Sequence, residues 1–154
     1  MNNNIDKKDI QILKILQKNG KITNKDLSIE LKLSPPSVLE RVKKLENLGY
    51  IKEYKAIIDR EKIGRPILAL ICIYLEKNNE ETVLKLIDYL KKQEEVLEIY
   101  HVTGRFDFIV KVSAKNLQDL NKVISAKISE SEAVKKVETF LVLDSFERNE
   151  YPID

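Results

Sequence analysis

The sequence predicts an α+β chain in two parts: a three-helix N-terminal domain, and a C-terminal sandwich of strand, helix, strand, strand, helix, strand. Three observations predict it. Residues 1–65 carry three short apolar stripes at helical spacing, each opened by a capping residue, whereas from Pro66 onward β-rich apolar runs alternate with amphipathic ones. The charge changes sign at the same place: residues 1–65 hold 15 Lys and Arg against 9 Asp and Glu, a net of +6, and residues 66–154 hold 12 against 16, a net of −4. A basic half suits an anionic partner, though unevenly distributed solvated faces would give the same count.

The first helix is set by "IDKKDIQILKILQKNG". Asp6 is the expected N-cap with Asp9 three residues on, and Ile5 is placed to staple onto Ile10. Ile10, Leu13 and Leu16 make its stripe, and Asn19-Gly20 offers a left-handed stop. In "ITNKDLSIELKL" Thr23 caps a helix of about two turns, with Leu27 and Leu31 inward. After a break at Lys32-Leu33, Ser34 caps a third helix. Pro35 and Pro36 fall in its first turn, where N–H groups have no acceptor, so they sharpen the start. Val38, Val42 and Leu45 form the buried stripe and Gly49 ends the helix; the opposite face is Pro36, Ser37, Glu40, Lys43, Lys44 and Asn47, with Arg41 on its border. Three short helices, a tight break before the third, and a basic outer face on that third helix describe a helix-turn-helix over residues 1–50, winged-helix-like, whose third helix suits a major groove. Any small three-helix domain has charged outer faces, so periodicity leaves DNA binding as one of two readings. Residues 51–65 read as a linker or hinge strand, because "YIKEYKAIID" alternates Ile51, Glu53, Lys55, Ile57 against Lys52, Tyr54, Ala56, Ile58.

Residues 66–154 read as a ferredoxin-like βαββαβ sandwich. "PILALICIYLE" is a strand, "NNEETVLKLIDYLKKQ" a helix begun at Asn78 or Asn79, and "VLEIYHVTG" and "RFDFIVKVSA" are the central strands. "KNLQDLNKVISAKIS" is the second helix and "VKKVETFLVLDSF" the last strand. Phe106, Phe108, Val110 and Val112 on one side, with Ile109 and Phe140 elsewhere, put apolar residues on both faces and favour sheet-to-sheet dimerisation. Gly104 lies between the central strands. It reads either as a plain hairpin turn or as backbone exposed to a small zwitterion, with Asp107 for the ammonium and N–H groups for the carboxylate.

An enzyme is the weaker expectation. His101 is the single histidine, Cys72 sits in an apolar strand, no metal-ligand spacing is present, and the glycines at 20, 49, 64 and 104 form no phosphate loop. No cofactor or metal is therefore expected. The lone cysteine points to a reducing, cytoplasmic setting, and the apolar run Ile67 to Leu75 is far short of the ~20 residues that span a bilayer, so no membrane role is expected.

Together, "IDKKDIQILKILQKNGKITNKDLSIELKLSPPSVLERVKKLENLGYIKEYKAIID" and the TG-x-x-D of "VTGRFDFIVKV" resemble the Lrp/AsnC, or feast/famine, transcription regulators, over about Ile5 to Phe146. The resemblance implies a sequence-specific DNA-binding domain, a hinge strand, and an effector-binding and oligomerisation domain at 66–154. Its implied assembly is a homodimer built further, often to an octamer. Carried over by position, Ser34, Pro36, Ser37, Glu40, Arg41, Lys43 and Lys44 are the implied DNA-contacting set. The implied effector is an amino acid held between dimers by the loops Tyr100 to Asp107 and Ser129 to Val134. The residues concerned are Tyr100, Thr103, Gly104, Arg105, Asp107, Ser129, Ser131, Ala133 and Val134, with Thr139 opening the last strand. Where the family often has Pro-Gly-Val before that strand, this chain has Glu132-Ala133-Val134, so the family's loop shape is not carried over and the effector is left open. An architectural DNA-compacting protein without effector, and an amino-acid-metabolic enzyme with a sensor domain, are the alternatives.

Overall fold

The computed structural model describes residues 5–146 and 150–153. They form two compact units. The first holds α1 (Lys7–Leu16), α2 (Asn24–Leu31) and α3 (Pro35–Asn47), and the second holds β1 (Ile67–Leu75), α4 (Glu80–Leu90), β2 (Val96–His101), β3 (Phe108–Ala114), α5 (Leu117–Lys122) and β4 (Val134–Leu141).

In the first unit the caps fall where the side chains demand them. Asp6 accepts from the Lys8 and Asp9 N–H groups while the Asp9 carboxylate accepts from the Asp6 N–H, a reciprocal capping box. Thr23 and Ser34 cap α2 and α3 without the return bond, their hydroxyls accepting from the Asp26 and Ser37 N–H groups, and Pro35 and Pro36 occupy the first turn of α3 without losing a bond. Ile12, Leu27, Leu31, Val38, Val42 and Leu45 make the core of this unit. Each fully buried aliphatic side chain contributes about 1.5–3 kcal/mol of transfer free energy. Two expectations are corrected. Gly20 is not a left-handed stop; the left-handed residues of this unit are Lys32 (φ 54), which ends α2 and turns the chain towards α3, and Gly49 (φ 76), which follows α3. The alternating stretch 51–59 forms no strand, because no strand of the described residues pairs with it. The C-terminal residues 150–153 also belong to this unit: the Gln17 amide donates to the Tyr151 carbonyl (3.2 Å) and its oxygen accepts from the Tyr151 N–H (3.0 Å).

The second unit is one antiparallel sheet in the order β2-β3-β1-β4. Register pairs Ile71 with Val110 and Thr139, and Cys72 with Ile109 and Glu138. The alternation of β1 and β3 therefore sends Ala69, Ile71, Ile73, Leu75, Phe108, Val110, Val112 and Ala114 to one face, where Leu86, Leu90, Leu120, Val123 and Ile128 of the helices cover them. On the other face lie Leu68, Leu70, Cys72 and Ile109, with the half-exposed Phe140 opposite Leu70. Phe106 does not join the Phe108 face as the strand reading placed it. It precedes β3 and packs edge-on against Tyr74, ring centroids 5.3 Å apart. The helix expected to end at Ser129 does so, but from Val123 it is π-helical, and the last strand ends at Leu141 rather than Phe146.

Candidate nucleic-acid interface and effector site

The outer face of α3 presents Pro36, Glu40 and Lys43 in the open, with Ser37 half-buried and Ser34 held as the cap, its hydroxyl accepting from the Ser37 N–H at 3.4 Å. Glu40, Lys43, Lys44, Asn47 and Leu48 bound a shallow hollow of about 500 Å³. Arg41 and Lys44 stand differently from Lys43. The Arg41 guanidinium reaches Asp6 and Asp9, each at 2.7 Å, and the Lys44 ammonium reaches Asp9 at 3.0 Å. Asp9 is fully buried. Burial by itself would raise its carboxyl, but Lys44, the Asp6 N–H and Arg41 together bring it below its ordinary 3.8. The Asp9 N–H and the Arg41 guanidinium lower Asp6 likewise. Spacing put Asp9 in the capping box; its second role, as anchor for α3, depends on how α1 and α3 pack and carries no local signal.

In the second unit, the loop between β2 and β3 and the turn before β4 meet at the same end of the sheet. The C-terminal end of β1 joins them: the Leu75 N–H donates to Asp107 (2.8 Å) and the Glu76 N–H to the Ala133 carbonyl (3.0 Å). Asp107 also accepts from the Asn78 amide at 2.6 Å, so Asn78 holds the carboxylate while Asn79 caps α4. Gly104 has φ +118 and a Cβ there would meet nothing, so the requirement for glycine is conformational. Arg105 donates to the Tyr74 hydroxyl (3.0 Å) and to Glu138 (3.2 Å), and Lys136 donates to Glu138 (2.8 Å). Lys136 and Tyr74 hold the Glu138 carboxyl below the usual range.

Tyr100, Thr103 and Gly104 are exposed at this end, Ser131, Ala133 and Val134 are half-buried, and Ser129 ends the π-helical segment. Thr139 is not at the start of β4. It is its sixth residue, opposite Ile71 in the middle of β1, away from the turn. A hollow of about 380 Å³ lined by Glu76, Lys77, Thr82, Lys85, Glu132 and Ala133 adjoins the turn. Spacing alone missed Tyr74, Asn78 and Glu138, which position the loop from neighbouring elements. Among the described residues no cluster of His, Cys, Asp and Glu is arranged to hold a metal, and no helix is long and apolar enough to cross a membrane.

Residues 5–52 match the family described as winged helix-turn-helix DNA-binding, and residues 68–152 match the Lrp/AsnC ligand binding domain. A helix-turn-helix unit joined to a ligand-binding sandwich makes a DNA-binding transcription regulator. The relatives agree. Transcriptional regulator AzlB of Bacillus subtilis is 33% identical over 97% of this chain and 96% of its own length, and a Pyrococcus abyssi regulator, FL11, is 35% identical over 97% of both. Among solved structures, a Neisseria meningitidis transcriptional regulator in complex with L-Met superposes with TM-score 0.88 (26% identity, 94% of this chain, 93% of that one). AsnC of E. coli gives TM-score 0.84 (26% identity, 94% and 96%). The chain belongs to the Lrp/AsnC family of transcription regulators.

Proposed function

We propose that the chain is a sequence-specific regulator switched by an amino acid bound between dimers of its C-terminal domain. Residues 1–50 bind DNA, 51–65 act as the hinge, and the sandwich within 66–154 binds effector and assembles the protein in the cytoplasm, the C-terminal residues 150–153 packing with the DNA-binding unit. Ser34, Pro36, Ser37, Glu40, Arg41, Lys43 and Lys44 are the DNA-facing set, and the dimer lays two α3 helices in successive major grooves about one helical turn apart. Tyr100, Thr103, Gly104, Arg105, Asp107, Ser129, Ser131, Ala133 and Val134 are the effector set, Thr139 being excluded by its place in the middle of the sheet, and dimers formed through the open sheet face assemble further, to an octamer.

The observation that carries the effector reading is the state of Asp107. Both of its oxygens are held, by the Leu75 N–H and the Asn78 amide, and both donors are neutral. A carboxylate fixed in place with no ion pair to it among the described residues suits the ammonium of an amino acid, and the Gly104 turn is exposed beside it. The L-Met complex of the Neisseria relative supports this class of ligand. Such a ligand acts only through a difference in affinity between two assemblies.

A thermal-shift panel of the twenty amino acids tests the reading, since a ligand at ~100 times its dissociation constant stabilises by ~2.7 kcal/mol. At least one is expected to shift the wild type and none the Asp107→Ala protein; no shift with any of them rejects this effector class. Footprinting tests the DNA reading: discrete half-sites are expected, and sequence-blind coverage would favour a compacting protein instead.

A further inference from the structure

Resting on that reading of α3 as the DNA face, we propose that Asp9 is a specificity-determining positioning residue. It withholds Arg41 and Lys44 from phosphate and fixes the rotation of α3, leaving Lys43 as the cation of that helix that grips the DNA backbone.

The geometry assigns the three cations to two states. Arg41 and Lys44 with Asp6 and Asp9 make a cluster of two positive and two negative charges, closed by contacts of 2.7 to 3.0 Å. The Asp9 carboxylate at its centre has no exposure, whereas the Lys44 and Arg41 side chains keep 42% and 27% of theirs. The cations therefore stand at the rim of the DNA face, but their charge is already answered. Moving either one to a phosphate would strip a partner from a buried carboxylate, a trade that loses more than an exposed phosphate contact returns. Lys43 is exposed, and among the described residues none forms a hydrogen bond or an ion pair with its side chain.

The clamp also sets direction. Val38, Val42 and Leu45 bury one side of α3, an apolar contact that tolerates some rotation about the helix axis. Ion pairs to α1 from positions 41 and 44, nearly one turn apart, remove that freedom. Ser37, Glu40 and Lys43 are then presented at one fixed angle. The functional gain is in discrimination. Phosphate contacts add affinity on every sequence, so cations withheld from phosphate lower the sequence-blind component while base contacts are kept.

The experiment uses the full chain, an operator-bearing duplex and a random duplex of equal length, titrated across a salt series. Lys43→Gln should reduce the slope of log K against log salt by about 1 on both duplexes. Lys44→Gln should instead weaken the operator more than the random duplex and leave the slope in place. Asp9→Asn should tighten the random duplex, steepen the slope by about 1 to 2, and so shrink the ratio between operator and random affinity. A slope lost equally in Lys44→Gln and Lys43→Gln overturns the proposal. So does an Asp9→Asn protein that weakens on both duplexes with its slope unchanged, the signature of a merely structural residue. Should Asp9→Asn fail to fold, the two lysine variants decide alone. If Lys43→Gln, Ser37→Ala and Glu40→Ala all bind both duplexes as the wild type does, α3 is not the DNA face, and this inference falls with that reading.

Discussion

Each unit of the molecule holds an aspartate with both carboxylate oxygens occupied, and the two differ in what occupies them. Asp9 is bound by Arg41, Lys44 and the Asp6 N–H; Asp107 is bound by the Leu75 N–H and the Asn78 amide. The first has its charge cancelled inside the protein. The second is oriented by neutral donors alone, and it lies half-buried beside an exposed glycine turn. A carboxylate answered by cations is a fastener, whereas one held by neutral donors is prepared for a cation that arrives from outside.

The sharpest way to break this contrast is to remove the fastener. Asp9→Ala takes away the cap on the Asp6 N–H and two charged hydrogen bonds, and should cost about 3 kcal/mol, read as a lowered midpoint in urea. The corresponding change at the other site should cost less: Asp107→Ala frees one backbone N–H at the end of β1, about 1 to 2 kcal/mol. Asp107→Asn should keep most of that stability and still lose the amino-acid thermal shift, because the charge rather than the shape is what the effector needs. A retained shift in Asp107→Asn would place the ammonium elsewhere.

Acid gives a third test with the sign fixed by the ion pairs. Asp6 and Asp9 have folded values below their ordinary 3.8, so their contribution is complete above the unfolded value and is lost as the pH falls through the folded ones. Stability followed below pH 4 should fall less steeply in Asp9→Asn than in the wild type.

The turns of the two units supply the smallest effects, with opposite signs. Gly104→Ala forces a side chain into φ +118 with open space around it, a conformational cost of about 1 to 2 kcal/mol. Lys32→Gly removes a side chain from the left-handed turn between α2 and α3 at φ 54, and the relief, offset by a freer unfolded chain, should leave a gain of about 0.5 kcal/mol.

The contrast between the aspartates also marks how far the sequence could be read. Caps are local, so Asp6, Thr23 and Ser34 announced their helices within four residues of chain, the pair Asn78-Asn79 announced α4 without choosing between its members, and the apolar stripes of α3 and the sheet announced the cores. The fate of Arg41 and Lys44 was not legible. Helical spacing places them on or beside the outer face, and only the packing of α1 against α3, 32 and 35 residues away in sequence, turns them to Asp9. The same holds for Asp107: its motif marked it, but the neutrality of its partners comes from the end of β1 and from Asn78. The strand expected at 51–59 failed for a related reason, since alternation shows that a segment can pair without supplying a partner. At Asn19-Gly20 the residue types permitted a left-handed stop that α1 does not use, since it ends at Gln17 in the right-handed region, while Lys32, a residue type with no such preference, ends α2 left-handed.

The pairing of Gln17 with Tyr151 joins residues 134 positions apart. It makes the helix-turn-helix unit discontinuous in the chain, with the whole ligand-binding sandwich inserted between its parts. On a ribosome, where segments emerge in order, α1 to α3 can collapse early, but the unit is completed only after the sandwich has been synthesised. The DNA-binding unit in its finished form is therefore a late product of synthesis, although most of its residues are the first to appear.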